Sequence, residues 1–299
     1  MEQQLVYTKN DLINLKPEHN TFVGIDSDGC VFDTMEIKQR QCFHKIIVSH
    51  WHLEPIEKYV REAAEFVNLY SKTRGKNRFP SVVLTFDLLR DRPEVIASGI
   101  KLPELNSLRK FIDSGIPLGN PSLEKQAKET GDEELAFVLE WSKAVNNDIA
   151  QTVKNIPPFK WVKESFEKIR NHSDAICVSQ TPNEALVREW QEHGLMEYVE
   201  VIAGQELGTK TEHLQMATNN RYDSDHIIMI GDAPGERKAA KSVDAHFYPI
   251  NPGHEIESWE RFYKEAYDKF LDGSYSGAYE AGVIAEFDKL LPETPPWES

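Results

Sequence analysis

The sequence has few cysteines and no long hydrophobic run, and both absences narrow the class of protein. It has three cysteines, Cys30, Cys42 and Cys177, whose spacing fits neither a disulfide framework nor a zinc site, so we expect small buried side chains. No apolar stretch approaches the ~18 residues needed to cross a bilayer, so no membrane partner is expected. The first residues lack the basic and apolar segments of a signal peptide, which predicts a cytoplasmic protein.

Positive charge is also scarce. The chain of 299 residues has 34 Lys and Arg against 49 Asp and Glu, a formal net charge of -15. Such a surface repels a phosphate backbone, so we expect no nucleic acid partner. A small anionic ligand is still compatible if its site supplies local positive charge. The 40% of hydrophobic residues is ordinary for a globular protein, and the length allows one large domain or two modest ones.

Five short apolar segments predict strands that are buried on both faces, because each is almost continuously apolar and ends at polar, Gly or Pro residues. They are Thr21–Asp26, Asp174–Gln180, Tyr198–Gly204, His226–Asp232 and Ala245–Ile250. Helical patterns separate the last four, and one of them begins with a T-x-x-E capping box at Thr209 and Glu212. This alternation predicts an α/β fold with a Rossmann-like parallel sheet.

The region between the first two predicted strands has a different character, with helical patterns and almost no strand signal. The predicted helices are Glu36–Trp51, Pro55–Ser71, Ser81–Arg90, Pro103–Ser114, Ser122–Thr130 and Asp132–Lys154. We therefore predict an α/β core formed by residues 1–33 and 157–299, with an inserted helical cap at 34–156. Two amphipathic helices, Glu255–Leu271 and Tyr279–Leu291, are predicted as a C-terminal extension of the core.

Polar side chains follow the predicted strands at the points where the strands end. Asp26 and Asp28 follow the first strand, Ser179 ends the second, and Lys210 begins the helix after the third. Asp232 ends the fourth strand, with Glu236 four residues later. Because ligands of doubly wound sheets bind at the carboxyl ends of the strands, we expect these groups to share one pocket.

This set of groups suits phosphoryl transfer. Several carboxylates are stable together when a cation lies among them, and an all-oxygen ligand set favours Mg2+. A lysine and a hydroxyl can hold the non-transferring oxygens of a phosphoryl group. One carboxylate can attack phosphorus, and Asp28 can give a proton to the leaving oxygen and later take one from water.

The same residues resemble the four motifs of the haloacid dehalogenase (HAD) superfamily. FVGIDSDGCVFD resembles the first motif, D-x-D-G-x-x-x-D, and VSQTP resembles the second, a Ser or Thr that ends a strand. Lys210 resembles the third motif, and IGDAPGE resembles the fourth, G-D-x-x-x-D/E. The resemblance covers about Thr21–Asp33 and Pro157–Ile250, and the inserted helices match the family's C1 cap in position and class.

The resemblance implies a role for each residue. Asp26 is expected to be the nucleophile and a metal ligand, and Asp28 the acid and base, with its backbone carbonyl also on the metal. Asp232 and Glu236 are expected to complete the metal site. The phosphate group is expected to be bound by Ser179, Gln180, Lys210 and Gly29. Other interpretations remain open, since Lys210 could be an ordinary exposed helix residue and Ser179 could cap the next helix.

Three features of the sequence qualify the resemblance. Cys30 stands where the family commonly has Thr, and Glu236 where Asp is commoner. The acid Asp28 favours phosphate esters over carbon–halogen bonds, because a departing halide needs no proton. In the cap, Arg74, Lys76 and Arg78 form a basic loop that we predict to contact the substrate, although a solvated basic turn is the alternative.

The sequence thus predicts a Mg2+-dependent phosphohydrolase that acts on a small phosphate monoester through an aspartyl-phosphate. Its expected partner is a small phosphorylated metabolite. A phosphomutase of the same superfamily is one alternative, since it would use the same aspartyl-phosphate and return the phosphoryl group to the substrate. A non-catalytic binding protein that retains the fold is the other.

Overall fold

The computed structural model describes residues 6–298, which fall into two compact units. The core unit comprises the described residues up to Thr34 together with Asn155–Leu291. The helical unit comprises Met35–Lys154 and the described residues from Pro292 onward. This division differs from the predicted one mainly at the end of the chain, because the residues after Leu291 belong to the helical unit.

The core unit is built on a five-stranded sheet. In chain order the strands are β1 (Phe22–Ile25), β2 (Asp174–Val178), β3 (Val201–Ala203), β4 (Ile227–Gly231) and β5 (His246–Pro249). Their order across the sheet is β3-β2-β1-β4-β5, and every neighbouring pair is parallel. The five predicted strands and the Rossmann-like α/β class are confirmed.

Both faces of the sheet are covered, which explains why the strands are apolar throughout. Phe22 of β1 belongs to one hydrophobic cluster, whereas Val23 and Ile25 belong to another. Met229 and Ile230 of β4 divide between the two clusters in the same way. Since successive side chains of a strand point to opposite faces, each strand contributes to both layers of the core.

The helix that follows β3 begins where its capping signal predicts. Thr209 and Glu212 form the predicted capping box at the start of the helix that carries Lys210. The α-helices are Lys9–Ile13, Val162–Arg170, Asn183–Glu192, Lys210–Thr218, Pro234–Lys241, Glu255–Arg261, Tyr267–Leu271 and Ala278–Leu290. The short 3-10 turns are Met196–Tyr198, Gln205–Leu207 and Ser224–His226.

The C-terminal extension completes the core unit in two ways. A π-helical segment, Phe262–Ala266, joins the two helices of the predicted Glu255–Leu271 element, and Phe262 is buried in the same cluster as Ile25. From the following helix, Glu280 accepts a hydrogen bond from the Phe247 N–H of β5 at 3.0 Å. This carboxylate therefore satisfies a backbone donor of a strand at the edge of the sheet.

The helical unit contains no strand among its described residues, as the sequence predicts. Its helices are Thr34–Ile37, whose first residue still belongs to the core unit, the π-helical Lys38–Phe43, His44–His50, the 3-10 turn Glu54–Ile56, Glu57–Asn68, Arg78–Arg90, Pro93–Ser98, Asn106–Asp113, Asn120–Thr130, Glu133–Thr152 and the 3-10 turn Pro296–Glu298. The short helix Pro93–Ser98 was missed by the sequence analysis. Within residues 6–298, the described helices are all too short or too polar to span a bilayer.

The end of the chain packs into the helical unit through a buried arginine. The Arg92 guanidinium lies 4.5 Å from the ring centroid of Tyr59 and 4.6 Å from that of Trp297. It also pairs with Glu62, and Phe66 meets Trp297 edge to face at 5.8 Å. These cation–π and aromatic contacts hold the terminal residues, which the sequence analysis had assigned to the core.

Candidate active site

The loop after β1 turns sharply and places two acids, Asp26 and Asp28, at the end of the strand. The Asp26 N–H continues the sheet by donating to the Ile230 carbonyl at 3.0 Å. The Ser27 carbonyl then accepts from Val31 N–H at 2.8 Å, which closes the turn. Gly29 has a φ of 78°, a left-handed conformation that glycine adopts without strain. The glycine of the D-x-D-G motif therefore suits the left-handed position in this turn.

Two tryptophans hold this loop from the core beneath it. The indole N–H of Trp190 donates to Ser27 Oγ at 3.0 Å, and that of Trp259 donates to the Cys30 carbonyl at 2.7 Å. Cys30 is fully buried, and burial raises its thiol pKa well above the ordinary value. As predicted, all three cysteines are buried and free.

The charged centre of the site brings together three loops. Lys210 Nζ lies 2.8 Å from Asp26 Oδ1 and also pairs with Glu236. Oxygen atoms of Asp26, Asp232 and Glu236 all lie within 4.8 Å of one another, and all three side chains are buried. The predicted nucleophile, lysine and two acids of the fourth motif thus share one cluster at the carboxyl edge of the sheet.

Burial and mutual repulsion set the electrostatics of this cluster. Burial raises the pKa of Asp26 well above its ordinary value; the Lys210 charge opposes that shift, and Glu236 and Asp232 add to it. Burial lowers the pKa of Lys210, but the carboxylates of Asp26 and Glu236 outweigh this effect and raise it, so the amine stays protonated.

The donor set of this cluster fits a hard divalent cation. Oxygen atoms of three buried carboxylates lie within 4.8 Å of one another, and the Lys210 ammonium group pairs with two of these carboxylates. Carboxylate oxygens are the ligands that Mg2+ prefers, and an ion among them would balance the charge. Asp26, Asp232 and Glu236 are therefore the residues that could hold a metal.

Glu236 reaches the cluster because Gly231 leaves room for it. One carboxylate oxygen of Glu236 accepts the Ala233 N–H at 2.8 Å, so the side chain folds back onto the first turn of its own helix, Pro234–Lys241. A Cβ atom at Gly231 would lie 2.2 Å from the Glu236 Cγ. The glycine of the G-D-x-x-x-D/E motif thus allows the glutamate to fold back over the end of β4.

Asp28 is fixed by two hydroxyl groups that the sequence analysis did not identify. Thr181 Oγ1 donates to Asp28 Oδ2 at 2.5 Å, and the Thr34 hydroxyl donates to Asp28 Oδ1. Asp28 is half-buried, whereas Asp26 is almost inaccessible. The two acids of the first motif therefore differ in burial and in their contacts, since Asp26 pairs with Lys210 and Asp28 accepts from two hydroxyl groups.

Ser179 and Gln180 shape the loop after β2. Ser179 is buried, and its Oγ accepts the Thr181 N–H at 3.2 Å, so it stabilises the loop and does not cap the helix Asn183–Glu192. Gln180 Nε2 donates to the Gly208 carbonyl at 2.9 Å, which ties this loop to the one before Lys210. Because β2 pairs with β1 in parallel, Ser179 lies at the same edge of the sheet as Asp26.

The basic loop of the helical unit is largely engaged within that unit. Arg74 is buried and donates to the Leu69 carbonyl at 2.8 Å. Arg78 donates to Ser142 Oγ at 2.9 Å, and burial lowers its pKa to about 10. Lys76 is exposed. The substrate role of these three residues stays a prediction.

The opposite end of the sheet has a second acidic group and a surface cavity, and neither contains a predicted catalytic residue. Asp223, Asp225 and His226 form an exposed group just before β4. A surface cavity of about 660 Å³, lined by Arg221 and Ile227 among others, lies beside it and contains none of the predicted catalytic residues. The buried cluster around Lys210 is therefore the candidate active site.

Comparison with known proteins gave distant matches among solved structures. A scan against protein-family models and a search of curated proteins found no match. Among solved structures, a candidate β-phosphoglucomutase from Bacteroides vulgatus is 12% identical, with a TM-score of 0.47 over 90% of this chain and 98% of that one. A candidate haloacid dehalogenase-like hydrolase from Bacteroides fragilis is 14% identical, with a TM-score of 0.47 over 80% and 92%.

A third structure, a candidate phosphatase from Clostridium difficile, is 17% identical, with a TM-score of 0.40 over 78% of this chain and 85% of that one. Similarity at this level does not identify an activity, so the function rests on the geometry of the site. The resemblance to hydrolases of the haloacid dehalogenase superfamily therefore rests on the sequence motifs, whose residues Asp26, Lys210 and Asp232 meet in the buried cluster.

Proposed function

We propose that the protein is a Mg2+-dependent phosphohydrolase of the HAD type that acts on a small phosphate monoester. The observation that carries the proposal is the buried cluster in which the Lys210 ammonium pairs with Asp26 and Glu236, beside Asp232. Phosphoryl transfer to an aspartate requires a nucleophilic carboxylate, a positively charged side chain beside it and oxygen ligands for a metal ion.

The metal would be held by Asp26, Asp232 and Glu236, with the Asp28 backbone carbonyl as a further proposed ligand. When bound, Mg2+ supplies positive charge that neutralises the phosphoryl oxygens. Lys210 supplies a second positive charge that the protein itself holds in place. Ser179, Gln180 and the backbone at Gly29 are proposed to bind the remaining phosphoryl oxygens.

The first step would transfer the phosphoryl group to the protein. An Asp26 carboxylate oxygen attacks phosphorus, the bond between phosphorus and the ester oxygen breaks, and Asp28 gives its proton to that leaving oxygen. The products are the free alcohol, an aspartyl-phosphate at Asp26 and an ionised Asp28.

The second step would release phosphate. Asp28 takes a proton from a water molecule, whose oxygen attacks phosphorus, and the bond between phosphorus and Asp26 breaks. The carboxylate of Asp26 and the protonated Asp28 are thereby restored. Asp28 suits both proton transfers because it is half-buried and two hydroxyl groups hold its carboxyl group in place.

A screen of phosphorylated metabolites with and without Mg2+ tests the proposal. We expect phosphate release that requires Mg2+ and that Asp26→Asn abolishes, since the amide is nearly isosteric but is not a nucleophile. The matched control is Asp223→Asn, an exposed acid at the other end of β4, which should retain activity. Equal phosphate release by Asp26→Asn and the wild type would reject the proposal.

The same assay separates hydrolysis from phosphoryl return. A mutase would convert a sugar phosphate into an isomer, whereas a hydrolase releases inorganic phosphate and free sugar in equal amounts. Analysing both products from one reaction decides between the two. A protein that binds phosphate esters without turning them over would support the non-catalytic alternative.

A further inference from the structure

Asp28, which acts as both acid and base in the proposed reaction, accepts hydrogen bonds on both carboxyl oxygens. Thr181 Oγ1 lies 2.5 Å from Asp28 Oδ2, and the Thr34 hydroxyl reaches the other carboxyl oxygen. Thr34 begins the helix Thr34–Ile37 and Thr181 lies in the loop after β2, so the two contacts come from separate segments of the chain. With a hydroxyl on each oxygen, both side-chain torsions of Asp28 are restrained.

Thr181 is itself fixed by its neighbours. Its N–H donates to Ser179 Oγ at 3.2 Å, and its carbonyl accepts the Gln205 N–H at 3.1 Å. The backbone at Gly204 approaches so closely that a Cβ atom there would lie 2.8 Å from the Thr181 carbonyl oxygen. The loops after β2 and β3 therefore position this hydroxyl before any substrate binds.

A hydroxyl suits a group that changes its protonation state twice in each turnover. It can donate to Asp28 when that residue is ionised and accept from it when it is protonated. A lysine at the same position could only donate, and its charge would keep Asp28 ionised. A threonine contact thus preserves the orientation of Asp28 without favouring one state by charge.

We propose that Thr181 is a positioning residue for Asp28, whose hydroxyl aims the carboxyl proton at the leaving oxygen. The proposal rests on the proposed function, because it assigns Thr181 to the proton transfers of that reaction. It extends the function to a residue that lies outside the four motif positions, two residues after the serine of the second motif.

The expected signature is a loss that depends on the leaving group. An alkoxide needs a proton to leave, whereas p-nitrophenolate leaves readily without one, so only the first reaction depends strongly on a well-aimed acid. General acid catalysis contributes about 10²- to 10⁴-fold. We expect Thr181→Val to lower kcat/KM by about 30-fold for an alkyl phosphate and by less than about 3-fold for p-nitrophenyl phosphate, a partial loss of that contribution.

The experiment measures kcat/KM of the wild type, Thr181→Val and Thr181→Ser with p-nitrophenyl phosphate and with glycerol phosphate. The ratio of the two values does not depend on the folded fraction of each preparation. Thr181→Ser keeps the hydroxyl and should restore the wild-type ratio. If Thr181→Val does not fold, Thr181→Ala removes the same hydroxyl with a smaller side chain and is measured in the same way.

A double-mutant cycle with Asp28→Asn completes the test. Once the acid is removed, Thr181→Val should cause no further change in the ratio, because the two residues act together. An equal loss with both esters, or a changed ratio in the Asp28→Asn background, overturns the inference while the proposed function stands. A wild type that hydrolyses no ester, with or without Mg2+, rejects the proposed function and this inference with it.

Discussion

Replacing Lys210 with methionine removes the positive charge of the site and leaves its three carboxylates in place. At an effective dielectric constant of about 20, opposite charges at the 2.8 Å distance between Lys210 and Asp26 attract by about 6 kcal/mol. Two carboxylate oxygens of the cluster that lie 4.8 Å apart, the upper limit of the separations there, repel each other by about 3.5 kcal/mol when both groups are ionised. The variant no longer has to bury an ammonium group, and this offsets part of the lost attraction. We therefore expect the free energy of unfolding to fall by about 3–5 kcal/mol.

This loss should grow with pH. The pKa of Asp26 is already raised by burial, with Lys210 opposing the shift, so removing Lys210 raises it further. A carboxyl group with a raised pKa binds a proton in the folded state that the unfolded state has released. Stability therefore falls as pH rises through the raised pKa, and the difference from the wild type should be larger near pH ~8 than near pH ~5.

Urea denaturation in the presence of EDTA measures both effects. Lys238→Met is the matched control, because Lys238 is exposed on the neighbouring helix and should contribute little. Millimolar Mg2+ should restore part of the stability lost by Lys210→Met, because an ion among the carboxylates replaces the missing charge. A Lys210→Met protein within ~1 kcal/mol of the wild type near pH ~8 in EDTA would refute the reasoning from buried charge.

Two further predictions concern stability. Burial, with Arg61 and Arg40 adding to it, lowers the pKa of His44 from 6.5 to about 3, so the unfolded state binds a proton between these values and the folded state does not. The free energy of unfolding should therefore fall by about 2 kcal/mol between pH ~7 and pH ~5 because of this one histidine. Urea denaturation of His44→Met at both pH values should show a decrease that is smaller by about 2 kcal/mol than that of the wild type. An unchanged decrease contradicts the prediction. Trp259→Phe leaves the buried Cys30 carbonyl without its indole donor, so urea denaturation should show a loss of about 1–3 kcal/mol, whereas a loss below ~0.5 kcal/mol argues against this contact.

The sequence analysis located the strands and the motif residues because their signals are local. A short β-branched apolar run, such as the one in β4, predicts a strand buried on both faces wherever it lies. The helix start at Thr209 could be predicted from the segment Thr209–Glu212 alone, because a capping box involves no tertiary contact. The same reasoning missed Pro93–Ser98 and assigned the end of the chain to the wrong unit, since Trp297 meets Arg92 only through tertiary packing.

The two tryptophans show why other site residues could not be predicted. Trp190 and Trp259 lie on helical faces, and that pattern indicates buried positions, which they occupy. Nothing in the pattern indicates that their indole N–H groups would meet Ser27 and the Cys30 carbonyl. Such contacts depend on how helices from distant parts of the chain pack beneath one loop.

By itself, the sequence determined that this protein has a parallel α/β core and that acids, a hydroxyl and a lysine follow its strands. Each of these features depends on residues that are neighbours along the chain. The tertiary structure decided which groups meet, because the order β3-β2-β1-β4-β5 places β1 between β2 and β4. That order brings Lys210 to Asp26 and Thr181 to Asp28, two pairs whose members are more than 150 residues apart in the chain. Contacts of this kind follow from the order in which strands pair, which no local pattern encodes.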